Sequence, residues 1–195
     1  VNSDAVAQKL MALEGGEDAE TFSSGMGAIS ATLMALLNQG DHMVASADIY
    51  GGTYGLLTEE FPRFGISTTM ADMRDPASYE AAIQENTKLL YIETLTNPVL
   101  KVCDIEAMAD VAKRHNLLLL IDNTFASPWG CKPLDMGVDL VLHSTTKYLG
   151  GHSDILGGAV VGSKDLIAQI FMRKVHFGAA PDPHSCYLLE RGMRT

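Results

Sequence analysis

Basic residues are scarce in this chain. Lys and Arg together number 14, against 24 Asp and Glu, which gives a formal net charge of −10 at pH 7. Binding to a phosphate backbone needs clustered positive charge, so this balance argues against a nucleic-acid partner. Apolar runs are also short, far below the roughly 20 residues that a membrane-spanning helix needs. We therefore predict no membrane partner.

Cysteine is also rare, and the spacing of the cysteines argues against a disulfide framework. Cys103, Cys131 and Cys186 are scattered and form no Cys-x-x-Cys pair. Three isolated thiols fit a reducing cytoplasm better than a disulfide framework, so we predict a cytoplasmic location. The six histidines show no metal-ligand spacing, and the sequence therefore predicts no metal site.

Short apolar segments recur along the chain at the spacing of an α/β domain. Strand-like segments occupy residues 19–22, 42–46, 88–92, 117–121 and 138–142. The unbroken apolar run at 117–121 is typical of a strand buried on both faces, as in a parallel sheet. With helical patterns between the strands, these segments predict a single three-layer α/β domain with a mostly parallel sheet.

Polar residues and glycines mark the predicted helix boundaries. The apolar pattern from residue 25 to about 39 predicts a helix with Gly40 as its C-terminal stop. Asp104 is the predicted N-cap of another helix, and Asn116 is its predicted stop. Residues 6–13 predict an opening helix.

Lys147 is the most informative residue of the sequence. It lies in the polar run 143–152, just after the predicted strand at 138–142. An amine held in a partly dry pocket is a nucleophile toward carbonyls, and the nearby hydroxyls of Ser144 and Thr146 suit a phosphate. This combination suggests pyridoxal phosphate (PLP) held as a Schiff base. The alternative is a solvated surface charge, which is what most single lysines are.

Two further strand ends carry groups that suit the same cofactor. Asp122 follows the strand at 117–121, at the sheet edge where open α/β sheets bind ligands. Its carboxylate could pair with a protonated pyridine nitrogen, or it could cap a turn. Asn97, restrained by Pro98, could contact the phenolic oxygen of the ring, or it could belong to a structural Asn-Pro turn.

Two glycine-containing segments could complete such a site. Gly25 and Met26 open a predicted helix, where free backbone N–H groups bind anions well. Many helix starts carry a short Gly-x-Gly pattern without binding anything. Tyr50 precedes two glycines, so its ring could lie flat over an aromatic ligand or pack in a tight turn.

Together these segments resemble the Cys/Met-metabolism family of PLP-dependent enzymes, also called the cystathionine γ-synthase or transsulfuration family. The resemblance runs from near Leu10 to Thr195. It rests on segments with the family's order and spacing: residues 23–29, 50–53, 93–98, 121–124, 144–154 and 188–195. It implies PLP as the cofactor and the large domain of PLP fold type I, the aspartate aminotransferase-like fold.

The resemblance also implies a role for each matching residue. Lys147 would form the Schiff base and move protons between Cα and Cβ of an amino-acid substrate. Tyr50 would stack on the ring and assist proton transfer, which makes these two the implied catalytic residues. The other implied contacts are Gly25, Met26, Ser144 and Thr146 to the phosphate, Asp122 to the pyridine nitrogen, Asn97 to the ring oxygen, and Glu93 and Thr124 as supports of the pocket.

The implied reaction is γ-elimination or γ-replacement, of the cystathionine γ-lyase, cystathionine γ-synthase or O-acylhomoserine sulfhydrylase type. Methionine γ-lyase often carries cysteine where this chain has Gly52, and cystathionine β-lyase usually lacks Tyr-Gly-Gly there, so both rank as alternatives. An inactive scaffold of the same fold is a further alternative. A nucleotide-binding Rossmann domain would need a third glycine at Ser30.

The resemblance implies more protein than these 195 residues. Family members continue into a smaller C-terminal domain, which supplies the arginine for the substrate carboxylate. An N-terminal arm lends a tyrosine and an arginine to a neighbouring subunit. We therefore expect residues 1–195 to be the PLP-binding large domain, a fragment of a protein that works as a homotetramer built from two dimers. Its expected ligand besides PLP is a small amino-acid substrate.

Overall fold

A seven-stranded sheet runs through the centre of the chain. The computed structural model describes residues 2–195. Its strands are β1 (Asp18–Phe22), β2 (His42–Ser46), β3 (Ser67–Ala71), β4 (Thr87–Glu93), β5 (Leu118–Asp122), β6 (Leu140–His143) and β7 (Gly158–Gly162). They are ordered β1-β7-β6-β5-β4-β2-β3 across the sheet. The strands from β6 to β3 are parallel, and β7 is antiparallel to both neighbours. The predicted mostly parallel sheet is confirmed.

Helices cover both faces of this sheet. They are α1 (Asn2–Glu14), α2 (Gly25–Leu36), α3 (Gly51–Gly55), α4 (Pro76–Ala82), α5 (Ile105–Arg114), α6 (Ser127–Gly130), α7 (Lys164–Phe177) and α8 (Pro183–Gly192). Helices α2 and α7 pack on one face, and α1, α4, α5 and α8 pack on the other. The three-layer α/β architecture is confirmed. Within residues 2–195, none of the helices combines the length and apolar character that a membrane crossing requires.

Side chains alternate between the two faces along each buried strand. On β5, Leu120 joins the core beneath α2 and α7, whereas Leu119 and Ile121 join the core beneath α5. All three are fully buried, and each contributes about 1.5–3 kcal/mol to the stability of the fold. The same alternation turns Asp122 toward α2 and sends Asn123 to the opposite face.

Two strands and one helix end differ from the sequence prediction. Strand β7 begins and ends with glycine, and edge strand β3 is largely polar, so neither carries a clear apolar run. Helix α2 ends at Leu36 rather than near residue 39. Leu37 adopts an extended backbone (φ −116°, ψ 142°) and buries its side chain in the core. Gly40 lies in the following turn, with φ at +91°.

The predicted boundaries of α5 are confirmed. Asp104 is its N-cap, and Asp104 Oδ1 accepts a hydrogen bond from the Ala107 backbone N–H at 3.0 Å. The helix ends at Arg114, and Asn116 then takes a left-handed backbone with φ at +53°. The chain therefore turns directly into β5, whose carboxyl end carries Asp122.

Candidate active site

A cleft opens beyond the carboxyl ends of β2, β4, β5 and β6, against the first turn of α2. Its volume is about 250 Å³. Its lining includes all ten residues predicted for the site: Gly25, Met26, Tyr50, Glu93, Asn97, Asp122, Thr124, Ser144, Thr146 and Lys147. Parallel strands place their carboxyl ends at one edge of a sheet, so the topology brings these separate segments together.

The first turn of α2 forms one wall of the cleft and suits an anion. Ser24 is the N-cap, and its Oγ accepts a hydrogen bond from the Gly27 backbone N–H at 2.9 Å. The N–H groups of Gly25 and Met26 have no acceptor within the helix, because the first turn of a helix never supplies one. A Cβ at Gly25 would lie 2.8 Å from the Cβ of Ser144. Glycine therefore lets this positive helix end approach Ser144.

The hydroxyl groups near Lys147 differ in how they are used. Thr124 Oγ1 accepts a hydrogen bond from the Ser144 backbone N–H at 2.8 Å, which fixes the start of the loop after β6. Thr146 Oγ1 donates to the Gly157 carbonyl at 3.2 Å and accepts from the Gly157 N–H at 3.0 Å. Thr146 thus braces the rim of the cleft. Its contact with a phosphate stays a prediction. To donate to a phosphate oxygen, the Thr146 hydroxyl would have to give up its hydrogen bond to the Gly157 carbonyl.

Asp122, the last residue of β5, places a carboxylate on the floor of the cleft. Its Oδ1 accepts a hydrogen bond from the Thr124 backbone N–H at 2.9 Å. Burial raises the pKa of Asp122 above its usual value, while the hydrogen bonds from Thr124 and the charge of His143 oppose the rise. Among residues 2–195, no cation forms an ion pair with it. A cationic ring nitrogen would supply the missing partner.

Glu93, the last residue of β4, joins two other parts of the cleft. Its Oε1 accepts from the Tyr50 backbone N–H at 2.8 Å, and its Oε2 accepts from the Asn97 N–H at 3.2 Å. Burial and the nearby charge of Asp122 raise the pKa of Glu93 to about 8. The predicted supporting role of Glu93 thus has a concrete form, since the carboxyl holds the backbone of both Tyr50 and Asn97.

Replacing Glu93 with glutamine is expected to remove a pH-dependent loss of stability. The folded pKa of about 8 exceeds the usual value of 4.5, so the folded chain holds a proton that the unfolded chain releases. Stability therefore falls as pH rises from about 4.5 to about 8, by at most roughly 5 kcal/mol. Urea unfolding of the cofactor-free chain at about pH 5, 7 and 9 measures this slope.

Glu106→Gln, on the exposed surface of α5, is the matched control for this experiment. It removes the same charge from a solvated position and should leave the slope of stability against pH as in the unsubstituted chain. If Glu93→Gln also keeps that slope, a different group titrates between pH 5 and 9.

Tyr50 and Lys147 stand at the mouth of the cleft. Tyr50 is 46% exposed, and a Cβ at Gly52 would lie 2.5 Å from its Cε1. Glycine at position 52 therefore makes room for the Tyr50 ring. Lys147 follows β6 in a turn, and its side chain is exposed. The partly dry setting predicted for its amine stays a prediction, since Lys147 is exposed and also lines the cleft.

Five lining residues had no individual role in the sequence prediction: Ser24, Ile29, Leu95, Phe125 and Leu156. Ile29 lies one helical turn after Gly25, so helical periodicity could have identified it. Leu156 carries no such signal, because it lies in the irregular segment between β6 and β7 and is 68% exposed.

One protein family matches the whole chain. A family model described as Cys/Met metabolism PLP-dependent enzyme covers residues 1–195. An L-methionine gamma-lyase of Porphyromonas gingivalis is 44% identical over 197 residues, which cover 100% of this chain and 49% of that protein. A cystathionine gamma-lyase of Bacillus subtilis is 49% identical over 184 residues, which cover 94% of this chain and 48% of the relative.

A solved structure shares the fold closely. The cystathionine gamma-lyase from Lactobacillus plantarum, complexed with L-serine, superposes with a TM-score of 0.96 at 45% identity. The match covers 100% of this chain and 51% of that one. The chain thus spans about half the length of the relatives it matches.

Proposed function

The chain belongs to the Cys/Met metabolism family of PLP-dependent enzymes, and we propose that it is the cofactor-binding large domain of an enzyme of sulfur amino-acid metabolism. The proposed reaction is γ-elimination or γ-replacement. The observation that carries the proposal is the convergence of ten predicted residues from separate segments on one cleft, with the amine of Lys147 and the carboxylate of Asp122 among them.

Several groups of the cleft fit the parts of PLP. The N–H groups of Gly25 and Met26, with the hydroxyl of Ser144, suit the phosphate at the start of α2. Asp122 suits a protonated ring nitrogen, since that charge would satisfy a carboxylate whose pKa burial raises. Lys147 supplies the amine that would hold the cofactor covalently.

PLP, when bound, supplies a cationic conjugated ring that accepts an electron pair from the substrate Cα. The remaining tasks fall to the chain. Lys147 Nζ takes the proton from Cα and moves protons at Cβ as a general base and acid. Asp122 keeps negative charge at the floor of the cleft, and Tyr50 covers the site and assists proton transfer. In both reactions the leaving group departs from the substrate Cγ. A thiol that then adds at Cγ gives replacement, whereas protonation of Cγ followed by hydrolysis gives elimination to a 2-oxo acid and ammonia.

Among the sulfur amino acids, we propose a reaction of the cystathionine γ-lyase, cystathionine γ-synthase or O-acylhomoserine sulfhydrylase type. Methionine γ-lyase and cystathionine β-lyase are the second candidates. Gly52 favours the first group, because the family resemblance implies a cysteine at the matching position in many methionine γ-lyases.

We also propose a cytoplasmic homotetramer built as a dimer of dimers. Its support is the family resemblance, together with large apolar side chains that this chain leaves exposed. Trp129 is 98% exposed, Tyr148 65% and Leu156 68%, as expected where another domain or subunit packs. The three free cysteines agree with a reducing compartment.

Activity of the full-length protein tests the proposed function. Loaded with PLP, it should release a four-carbon 2-oxo acid from cystathionine by cleavage at Cγ, or replace the acyloxy group of an O-acylhomoserine with a thiol, whereas a three-carbon 2-oxo acid would favour cystathionine β-lyase. Turnover of methionine alone would favour the second candidate. A protein that shows the yellow absorbance of bound PLP and turns over none of these substrates would be the inactive scaffold. A protein that binds no PLP would contradict the proposal.

Replacing Gly25 with valine is expected to weaken PLP binding in the full-length protein by about tenfold or more, the equivalent of a lost charge-assisted hydrogen bond. The new Cβ would lie 2.8 Å from Cβ and 2.9 Å from Oγ of Ser144, and so would fill the anion cradle. Equilibrium dialysis against PLP measures the dissociation constant.

Gly51→Val is the matched control, because a Cβ at Gly51 meets nothing within 4 Å. Both changes place a β-branched residue near a helix start, so their cost in helix propensity is similar. An unchanged dissociation constant in Gly25→Val would remove the first turn of α2 from the cofactor site.

A further inference from the structure

Behind the cleft lies a second set of polar side chains that protein encloses almost completely. Glu14 and Asn123 are 0% exposed, His143 is 2% and Thr94 is 7%. Thr94 Oγ1 donates to Asn123 Oδ1 at 2.7 Å. Asn123 Nδ2 donates to Glu14 Oε1 at 3.1 Å, and His143 Nε2 lies 2.5 Å from the same oxygen. These four residues are the buried network.

Each strand-end member of the buried network is the chain neighbour of a residue in the cleft. The neighbours are Glu93 and Thr94, Asp122 and Asn123, and Ser144 and His143. Successive residues of a strand point to opposite faces of a sheet, so the network packs on the face opposite to the cleft. A displacement of the network therefore moves the backbone that carries the cleft residues.

The buried network also lies where the last backbone hydrogen bonds join the three strands. The Thr94 N–H donates to the Asp122 carbonyl at 3.1 Å, which ties β4 to β5. The Asn123 N–H donates to the Leu142 carbonyl at 2.9 Å, which ties β5 to β6. Side-chain and backbone bonds thus fix the same strand ends together.

The position of Glu14 is energetically unfavourable for a carboxylate. It is the last residue of α1, where the helix dipole disfavours a negative charge. It is fully buried, and within the described residues its Oε2 has no hydrogen-bond partner. Gly16 lies two positions after Glu14, and a Cβ there would lie 2.4 Å from Cγ1 of Val161. Glycine therefore lets the end of α1 reach the sheet.

We propose that Glu14 is a positioning residue for the cofactor site. Through Asn123 and His143 it sets the backbone positions of Asp122 and Ser144, and so the affinity and orientation with which PLP is held. This inference rests on the proposed function, because it concerns the same cleft.

Two substitutions at position 14 test the proposal in the full-length protein. Glu14→Met removes the acceptor with little change of volume, and Glu14→Gln keeps an acceptor oxygen for both Asn123 and His143. Glu14→Met should raise the PLP dissociation constant about tenfold or more, as losses of supporting hydrogen bonds do at metal sites. It should also weaken the circular dichroism of the bound cofactor. Glu14→Gln should restore both readouts most of the way.

Leu10→Ala on the same helix is the control for a purely structural effect. Leu10 is fully buried in the apolar core beside α1, in a cluster that contains none of the four residues of the buried network. This change should lower the melting temperature and leave the PLP dissociation constant unchanged. If Leu10→Ala and Glu14→Met weaken PLP binding equally at a similar loss of stability, Glu14 acts only through the stability of the fold, and the proposal is overturned.

Thr94→Val keeps the test decisive should Glu14→Met fail to fold. It is close to isosteric and removes only the hydroxyl, which donates to Asn123 Oδ1 at 2.7 Å and also lies 3.4 Å from the Asp122 carbonyl oxygen. It should raise the PLP dissociation constant about threefold, a smaller effect because it lies one hydrogen bond farther from Glu14. If the unsubstituted protein binds PLP and Thr94→Val binds it with an unchanged dissociation constant, the inference alone is overturned, whether or not Glu14→Met folds. No PLP binding in the unsubstituted protein overturns the proposed function instead.

Discussion

Alanine at position 147 is expected to abolish covalent attachment of PLP and to reduce turnover by the full-length protein on the order of 10³-fold or more. Lys147 is the only lysine that lines the cleft in the part of the chain that the structure describes. Its amine is therefore the group available to bond the cofactor there and to move protons at the substrate.

Borohydride reduction followed by peptide mass spectrometry measures the attachment. The unsubstituted protein should carry a reduced PLP adduct on the peptide that contains Lys147, and Lys147→Ala should carry none. Lys113→Ala, on the exposed side of α5, is the control and should keep the adduct. An adduct on a different lysine of the unsubstituted protein would show that Lys147 is not the nucleophile.

Asparagine at position 122 is expected to lower turnover about 10²-fold or more while raising the stability of the cofactor-free protein. Asparagine keeps the size of aspartate but cannot supply negative charge to a cationic ring. Burial raises the folded pKa of Asp122 above the usual 3.8. The free energy of unfolding of the protein therefore falls as pH rises from 3.8 through the folded pKa of Asp122. Removing the charge relieves this penalty at neutral pH.

The opposite signs of these two effects separate function from folding. If Asp122 were merely structural, its replacement would lower turnover and stability together. Thermal unfolding without PLP and turnover with PLP measure them on the same preparation. Asp139→Asn is the control: burial raises the pKa of this carboxyl too, but it lies outside the cleft and accepts from the Leu119 N–H at 2.8 Å. It should leave turnover unchanged. Full activity in Asp122→Asn would remove this residue from the reaction.

Much of the fold follows from local patterns in the sequence. The apolar run at 117–121 predicts a strand buried on both faces, and β5 has that environment, with Leu119, Leu120 and Ile121 fully buried. The pattern succeeds because burial on two faces leaves no position for a polar side chain. It fails for β7, where glycines break the apolar run and pairing with β1 and β6 supplies the strand environment instead.

The buried network shows where sequence patterns end. Glu14 is separated from Asn123 by 109 positions and from His143 by 129. From the sequence alone, a glutamate at the end of a helix is predicted to be exposed to solvent. Only the packing of α1 against the sheet, with the close approach allowed at Gly16, turns that glutamate into a fully buried acceptor.

The sequence by itself determined the chemical groups and the sheet edge at which they stand. Lys147, Asp122 and Asn97 follow apolar runs, and parallel strands must end at a common edge. Tertiary structure alone decided how these groups are held: Thr146 braces Gly157, and Glu93 joins Tyr50 to Asn97. The physical reason is that a strand's burial is encoded within a few residues, whereas a side chain's partner depends on the packing of segments that are distant in the chain.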